Sequence, residues 1–484
     1  MKILIADFEI AKYGGIVEHS EAKVKAFKSL GHDIDLVKFT PSSTTQKRYD
    51  DAVKKFESGE FQNTKKLNSQ NGGYELSKAT GYWKNNYYGY FLPPSNRIGV
   101  FEKGAVERWL KMTEDVDLVI WNFMPTKSSS WNKADFSFWW KFYDLPATTS
   151  QIFVVHDAYF DVRASNISAL KKKILFLECA HVAAYHCCEN IGIRRTLLLN
   201  PRYMKNKMKM TVIPFSERET DFFAAHIFKS MKRVDDLIRA IPYFNHDSIE
   251  DDPRGEFSYS IKIAGSGIEQ AYMVATDKIK PNYVCNKKLD PDLPDYRNGL
   301  PIWEVGEYHG MQYLGQISSY EVNAHLYDSK FAIDPSWASH YAQYCNTHIN
   351  GFIIEAMLRG CYPVLRDYRG LSDKEVEDPL FDNIRAIYIP WNATPKQFAK
   401  ALRKAYDKMT DEKYLEDTLH NFELVKTLFN AKENAKEVVR LVEGGRKLVK
   451  NELEKGVDSD NVKRITEEIM TDFFKIELPI IWEN

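Results

Sequence analysis

No stretch of this 484-residue chain reaches the roughly 18 uninterrupted apolar residues that a membrane-spanning helix needs, so a helical membrane protein is not expected. The opening run Met1-Lys-Ile-Leu-Ile-Ala-Asp7 is too short for a secretory signal and ends in an acid where a cleavage site would stand; it reads as a first strand. Cysteine is scarce. The six present, Cys179, Cys187, Cys188, Cys285, Cys345 and Cys361, show neither a disulfide-like nor a Cys-x-x-Cys spacing, which excludes a disulfide-stapled scaffold and points to a reducing cytoplasm. An excess of one charge is missing too. Lys and Arg number 66 against 67 Asp and Glu, a formal net charge of −1, so overall electrostatics favours no class of partner. Short-period repeats and low-complexity tracts are absent, which sets aside solenoids and disordered arrays.

What is present is a globular composition, 44% hydrophobic and 27% charged, in a chain too long for one core; two large domains fit best. Lys2 to Ala6 reads as a strand, Tyr13-Gly14-Gly15 as a glycine turn, and Val17, Val24, Phe27 and Leu30 as one stripe of a helix that Gly31 stops before the strand Asp33 to Lys38. Strand, glycine turn, helix, strand is the unit of a parallel sheet with a ligand at the first turn. Residues 42–112 read as a polar, aromatic insertion. Strands resume at Asp117 to Asn122, Gln151 to His156 and Ala180 to Tyr185. Cys179, His181, His186, Cys187 and Cys188 have residue types that suit zinc, but they fall in or beside that last apolar run, where small hydrophobes and a bonded histidine are ordinary core, so no metal is expected.

The pattern restarts after Pro214. Strands are expected at Asp221 to Phe228, Tyr259 to Ala264, Gly310 to Leu314, Phe331 to Asp334 and Tyr362 to Leu365, with a second insertion over 275–308 and helices over 396–475. The domains expected are 1–216, completed by a C-terminal helix over 463–484, and 217–462. Within the second, Gly351-Phe-Ile-Ile-Glu355-Ala-Met-Leu-Arg-Gly360-Cys-Tyr-Pro363-Val-Leu365 reads as a helix with a carboxylate in its first turn, then a Gly-x-x-Pro turn into a buried strand. A helix N-terminus offers unpaired N–H groups and partial positive charge to a diphosphate, and Glu355 can accept hydrogen bonds from a ribose diol.

These features resemble the GT-B glycosyltransferases of the retaining type: Gly14-Gly15 opening the first helix, Gly31-His32 closing it, Lys232 followed by Val234-Asp-Asp-Leu-Ile238, and Gly351 to Val364. Within that class the chain is most similar to the phage DNA alpha-glucosyltransferases, through Val155-His156-Asp157, Ala180-His-Val-Ala-Ala-Tyr-His186 and Tyr341-Ala-Gln-Tyr-Cys-Asn-Thr347 ahead of Gly351. The resemblance implies an α/β fold, GT-B, of two Rossmann-like doubly wound domains facing a cleft, and transfer with retention from a nucleotide sugar, a UDP-sugar above all, with no cofactor or metal required. It implies donor-binding roles for Gly14, Gly15, Lys229, Lys232, Arg233, Gly265, Asn350, Gly351 and Glu355. The catalytic pair would be Asp157, accepting the hydroxyl proton or steadying positive charge at the anomeric carbon, and His156, bonding the sugar. A capping Asp beside a structural His is the competing reading. The family's Arg five residues before the phosphate Lys is here Ile227, and its acid eight before the ribose-binding Glu is Thr347, which leaves the second phosphate cation and the donor-sugar contacts unassigned.

The preferred acceptor is hydroxymethylated cytosine in phage DNA. Between Ser42 and Met112 twelve Lys or Arg face seven Asp or Glu, an excess of five positives, interleaved with aromatics. Lys84, Tyr87 and Tyr88 there, with Arg202, Lys205 and Lys207 in a second basic run, suit a polyanion with stackable bases; a solvated face is the alternative. The chain is expected to be a monomer in the cytoplasm of an infected host cell, without membrane attachment. Other readings are a bacterial transferase acting on a surface polysaccharide or lipid-linked glycan, a two-sheet sugar-nucleotide epimerase, and a non-catalytic DNA-binding protein on a GT-B scaffold.

Overall fold

A computed structural model describes residues 1–8, 15–40, 96–122, 136–146, 148–156, 173–180, 184–185, 187–188, 196–198, 210, 212–226, 232–245, 259–265, 284–285, 299–315, 317–336, 349–369 and 379–457. The chain divides into two compact units, Met1–Lys207 with Leu428–Asn484, and Met208–Thr427.

The first unit is built on β1 (Lys2–Phe8), α1 (Gly15–Ser29), β2 (Asp33–Thr40), β3 (Arg97–Gly99), α2 (Ala105–Thr113), β4 (Leu118–Trp121), α3 (Phe136–Tyr143), β5 (Ser150–Val155), β6 (Phe176–Cys179) and β7 (Thr196–Leu198). All pairings are parallel, in the order β3-β2-β1-β4-β5-β6-β7. Strands buried on both faces read as near-continuous apolar runs, and β4 and β5 do so. One face meets an aromatic cluster of Trp109, Trp121, Trp139, Phe142 and Tyr143, all fully buried. The other face, with Ile3, Ile5, Ile120 and Ile152, packs against Ala22, Ala26 and Phe27 of α1.

The second unit carries β8 (Thr220–Ala225), α4 (Val234–Ala240), α5 (Pro242–Asn245), β9 (Ile261–Ala264), α6 (Ile302–Tyr308), β10 (Met311–Tyr313), α7 (Ser319–Asp328), β11 (Ser329–Asp334), α8 (Gly351–Leu358), β12 (Tyr362–Asp367), α9 (Pro379–Asn383), β13 (Ile387–Pro390), α10 (Pro395–Lys408) and α11 (Asp411–Leu428). Its six parallel strands run β10-β9-β8-β11-β12-β13, the same winding as the first sheet. The expected Gly-x-x-Pro turn is explained by Gly360. Its φ of +68° suits glycine, and a Cβ there would come within 2.8 Å of the Met210 methyl and 3.1 Å of the Arg218 guanidinium.

The chain then returns to the first unit through α12 (Ala431–Glu454). Ala435, Val438, Leu441 and Val442 recur at helical spacing and join the core of α1 and β1, where each buried Val or Leu is worth about 1.5–3 kcal/mol. The return therefore begins at Leu428, not with the helix expected over 463–484, whose residues lie outside those described. Three further expectations change. The insertion expected over 42–112 ends earlier, since β3 and α2 already belong to the regular fold. The strand expected over Ala180 to Tyr185 is β6, just before it, and Ala184 and Tyr185 are helical. β7 and β13 were not anticipated. Among the described helices, none is long and apolar enough to cross a membrane.

Candidate functional site

A doubly wound sheet leaves a crevice where its strand order reverses, at the C-terminal ends of the diverging strands. In the second unit those strands are β8 and β11, so His226 and Asp334 border it. His226 is buried, and its Nε2 donates to the Ile333 carbonyl at 3.0 Å, with Asp334 Oδ1 3.9 Å away. Asp334 accepts the Ser336 N–H at 3.0 Å and an amide hydrogen of Asn350. Asn350 is the N-cap of α8, its Oδ1 accepting the Ile353 N–H at 3.3 Å. A strand-end carboxylate thus holds the cap, and the cap sets where α8 begins. The opening N–H groups of a helix lack intrahelical acceptors and carry partial positive charge, which makes this corner a seat for an anion. Phe352, in the first turn, meets His226 edge-on with ring centroids 5.1 Å apart.

Burial is the main force holding the His226 imidazole below its ordinary range; Asp334 opposes it and the Lys232 ammonium reinforces it. Lys232 is therefore near the ring that α8 touches. Arg233, the next residue, is engaged elsewhere. It pairs with Asp236 and places Nε 3.5 Å from Asp235, and it is the only described non-glycine residue at positive φ, +45°, a strain of about 1–2 kcal/mol. Arg366 also reaches Asp236, at 2.6 Å, while donating to the Pro335 and Trp391 carbonyls. The acids that open α4 are matched by these two arginines, and Lys232 directly precedes them in the chain.

The first sheet reverses between β1 and β4. Asp7 in β1, Asn122 after β4, His156 after β5 and Glu178 in β6 meet residues of α1 there. Lys38 donates to Asp7 at 2.6 Å, Ser20 donates to the same carboxylate oxygen at 2.9 Å, and the Asn122 amide donates to Ser20 Oγ. Asn122 Oδ1 lies 2.9 Å from His19 Nδ1 and 3.2 Å from His156 Nε2. The two imidazoles stand edge to face at 4.8 Å. Behind them, Glu178 is ion-paired with Lys23 and has Oε1 3.2 Å from His19 Nε2. His19, Ser20, Lys23, Asn122 and Glu178 are all buried. Burial lowers the His19 imidazole's affinity for a proton, against the pull of Glu178, and lowers that of Lys23 as well; Glu178, although burial raises it, is held below its usual range by Lys23 and His19.

No protein-family model and no curated protein sequence matches the chain. Solved structures do. An alpha-glucosyltransferase in complex with UDP and a 13-mer DNA containing a central A:G mismatch is 12% identical, with 92% of this chain covering 100% of that one at a TM-score of 0.51. The pneumococcal O-GlcNAc transferase GtfA in complex with UDP and GlcNAc is 9% identical, with coverage of 92% and 99% and a TM-score of 0.51. A mutant of S. aureus TarM in complex with fondaparinux, alpha-GlcNAc-glycerol and UDP is 11% identical, with coverage of 91% and 100% and a TM-score of 0.50. The fold is GT-B.

On this GT-B frame, Asn350 and Gly351 open α8 after β11, Lys232 and Arg233 precede α4 after β8, and His156 follows β5 in the first sheet. Glu355 is the fifth residue of α8 and is half-buried; it opens the second turn, not the first. Gly265 directly follows β9, but its N–H donates to the Gly315 carbonyl at 2.9 Å and its carbonyl accepts the Tyr313 hydroxyl at 3.0 Å. Gly15 starts α1. Asp157, Gly14, Lys229, Lys84, Tyr87, Tyr88, Arg202, Lys205 and Lys207 lie outside the described residues. Sequence reasoning passed over His19, Asn122 and Glu178, and it assigned no role to Asp334. The signal available was one polar residue ending an apolar strand, as in Leu-Val-Ile-Trp-Asn122 and Phe-Ala-Ile-Asp334. Among the described residues no group of three or more metal-ligating side chains converges.

The first unit's titrating groups make stability depend on pH. The folded affinity of His19 for a proton lies below that of an exposed histidine, so between the two pKa values the unfolded chain binds more protons and stability rises with pH. His32, depressed chiefly by burial, has the same sign, and the depressed Glu178 and Asp117 extend it to lower pH. Acidification below about pH 6.5, where exposed histidine titrates, should therefore shift the tryptophan-fluorescence unfolding midpoint to lower denaturant. A midpoint unchanged between pH 7.5 and 5.5 would show that His19 is not buried in its neutral form.

Proposed function

We propose that the chain is a retaining glycosyltransferase that moves a sugar from a UDP-sugar to hydroxymethylated cytosine in DNA, in the cytoplasm. The GT-B fold supports the general reading. The observation that carries the donor site is the start of α8: Asp334 at the end of β11 holds the Asn350 cap, and His226 packs on Phe352 in the first turn. A helix start supplies positive potential to a diphosphate, and a lysine ammonium adds a second kind. In this reading Lys232 serves the departing phosphate and Glu355 the ribose hydroxyls, and the catalytic roles fall to His156 and Asp157.

DNA as acceptor draws support from the alpha-glucosyltransferase solved with UDP and DNA, and from the basic, aromatic segments holding Lys84, Tyr87, Tyr88, Arg202, Lys205 and Lys207. A base in a duplex presents its hydroxymethyl group in the major groove or after extrusion, and stacking aromatics suit the latter. A bacterial glycan as acceptor is the second reading, favoured by the comparable likeness to TarM solved with fondaparinux and alpha-GlcNAc-glycerol. Incubation with hydroxymethylcytosine DNA and a panel of sugar nucleotides, followed by nucleoside mass spectrometry, separates them. A hexose or pentose mass added to the modified nucleoside is the expected result. Transfer to a lipid or glycan with none to DNA overturns the acceptor, and no consumption of any UDP-sugar overturns the enzyme.

The Glu355→Ala variant tests the ribose contact. Losing charge-assisted hydrogen bonds worth about 1.5–3 kcal/mol should weaken UDP binding roughly 10- to 100-fold, read by calorimetry. Unchanged UDP affinity would remove Glu355 from the site.

A further inference from the structure

We infer that Asn122 is a positioning residue for His156: a buried chain of hydrogen bonds running from the Lys38–Asp7 ion pair turns the Asn122 carbonyl toward His156 and thereby commits the Nε2 proton of that imidazole. The inference rests on the reading of His156 as a ligand-facing residue of the transferase site, and it concerns how that residue is made ready.

The direction of the chain follows from what each group can donate. Lys38 carries only donors, and it donates to Asp7 Oδ2 at 2.6 Å. The Asp7 carboxylate only accepts, so the Ser20 hydroxyl, 2.9 Å from the same oxygen, spends its one hydrogen there. Ser20 Oγ is then left with lone pairs for its other buried neighbour, and Asn122 must turn its NH2 toward it. That orientation points Oδ1 the other way, at His19 Nδ1 and His156 Nε2. An amide oxygen only accepts, so both nitrogens donate. In the neutral imidazole of His156 the proton sits on Nε2 and the lone pair on Nδ1.

His19 has a second part in this. Burial keeps it neutral, so it has one proton for two acceptors, Asn122 at 2.9 Å and Glu178 Oε1 at 3.2 Å. Asn122 Oδ1 takes that proton from the Nδ1 side while Glu178 Oε1 competes from the Nε2 side, so His19 ties the Asn122 chain to the Lys23–Glu178 ion pair. The charged groups around His156 on the described elements are thus Lys23 and Glu178 behind His19, and Asp7 with Lys38 behind Ser20.

The test uses the full-length protein labelled with 15N-histidine, with the His156 signals assigned by their loss in His156→Gln. In the unsubstituted protein, long-range proton–nitrogen correlation should show His156 protonated at Nε2, with that proton slow to exchange. Asn122→Ala should speed its exchange at least tenfold. Asn122→Asp keeps shape and acceptor but adds a negative charge, so it should raise the His156 titration midpoint by about one unit and move the acid limb of the kcat profile with it. A His156 found protonated at Nδ1 overturns the inference, as does a titration midpoint unmoved in Asn122→Asp. The spectra need no turnover, so a chain that transferred no sugar would sink the functional reading while leaving this result standing, and active protein with an unmoved midpoint would do the reverse.

Discussion

The Lys232→Ala variant is expected to lose about 100- to 1000-fold in kcat while its affinity for UDP falls much less. When a glycosidic bond to a diphosphate breaks, negative charge grows on the departing oxygen, and a cation fixed beside it stabilises the transition state more than the bound donor. Removing one such preorganised group costs roughly 2.7–4 kcal/mol of barrier in enzymes where this has been measured. Lys232 is the cation that suits the role because its neighbour does not: Arg233 is paired with Asp236 and lies beside Asp235, so Arg233→Ala should act mainly on stability, by releasing the acids that open α4. Steady-state kinetics and UDP calorimetry on both variants decide between the two. A Lys232→Ala protein with unchanged kcat and a weakened donor would confine this residue to ground-state binding.

The fold was legible in the sequence where a strand met a glycine punctuation. Lys2 to Ala6, Tyr13-Gly14-Gly15 and the stop at Gly31 describe β1, the start of α1 and its end, because a parallel strand buried on both faces must be apolar and the turn at Gly31, at φ +83°, favours glycine. Boundaries failed where that logic gave out. β3, Arg97–Gly99, and β7, Thr196–Leu198, are three-residue edge strands, too short to show any period. The apolar run after Cys179 misled because alanine suits a helix as well as a strand, and no glycine or proline marks where β6 stops.

The site was legible in its outline only. A carboxylate in a helix preceding a Gly-x-x-Pro turn drew notice to Glu355, and a His-Asp pair after an apolar strand drew notice to His156. The groups that fix those residues were harder to see. Asn122 and Ser20 are 102 positions apart, and His19 and Glu178 are separated by 159. Such pairs leave no mark in local spacing, since only the winding of the sheet brings strand ends and the first helix together. Even the shorter links, Ser20 to Asp7 across 13 positions and Asp334 to Asn350 across 16, span chain that gives no periodic signal.

Glu178→Gln should destabilise the first unit by about 3–5 kcal/mol, the usual result of leaving one member of a buried ion pair without its partner. Glu178 sits in β6 with its side chain wholly out of water, and Lys23 on α1 is nearly so; the burial that lowers the lysine's proton affinity measures how strongly that ammonium needs the carboxylate. The melting temperature should fall on the order of 10 °C. Replacing both members together, Lys23→Met with Glu178→Leu, removes the unmatched charge along with its partner and should restore most of the loss. If the double variant is as unstable as Glu178→Gln alone, the pair is not what ties α1 to β6. If it is stable but His156 has lost its protected Nε2 proton, the ion pair serves the Asn122 network rather than the core, because Glu178 reaches that network through His19 Nε2 at 3.2 Å.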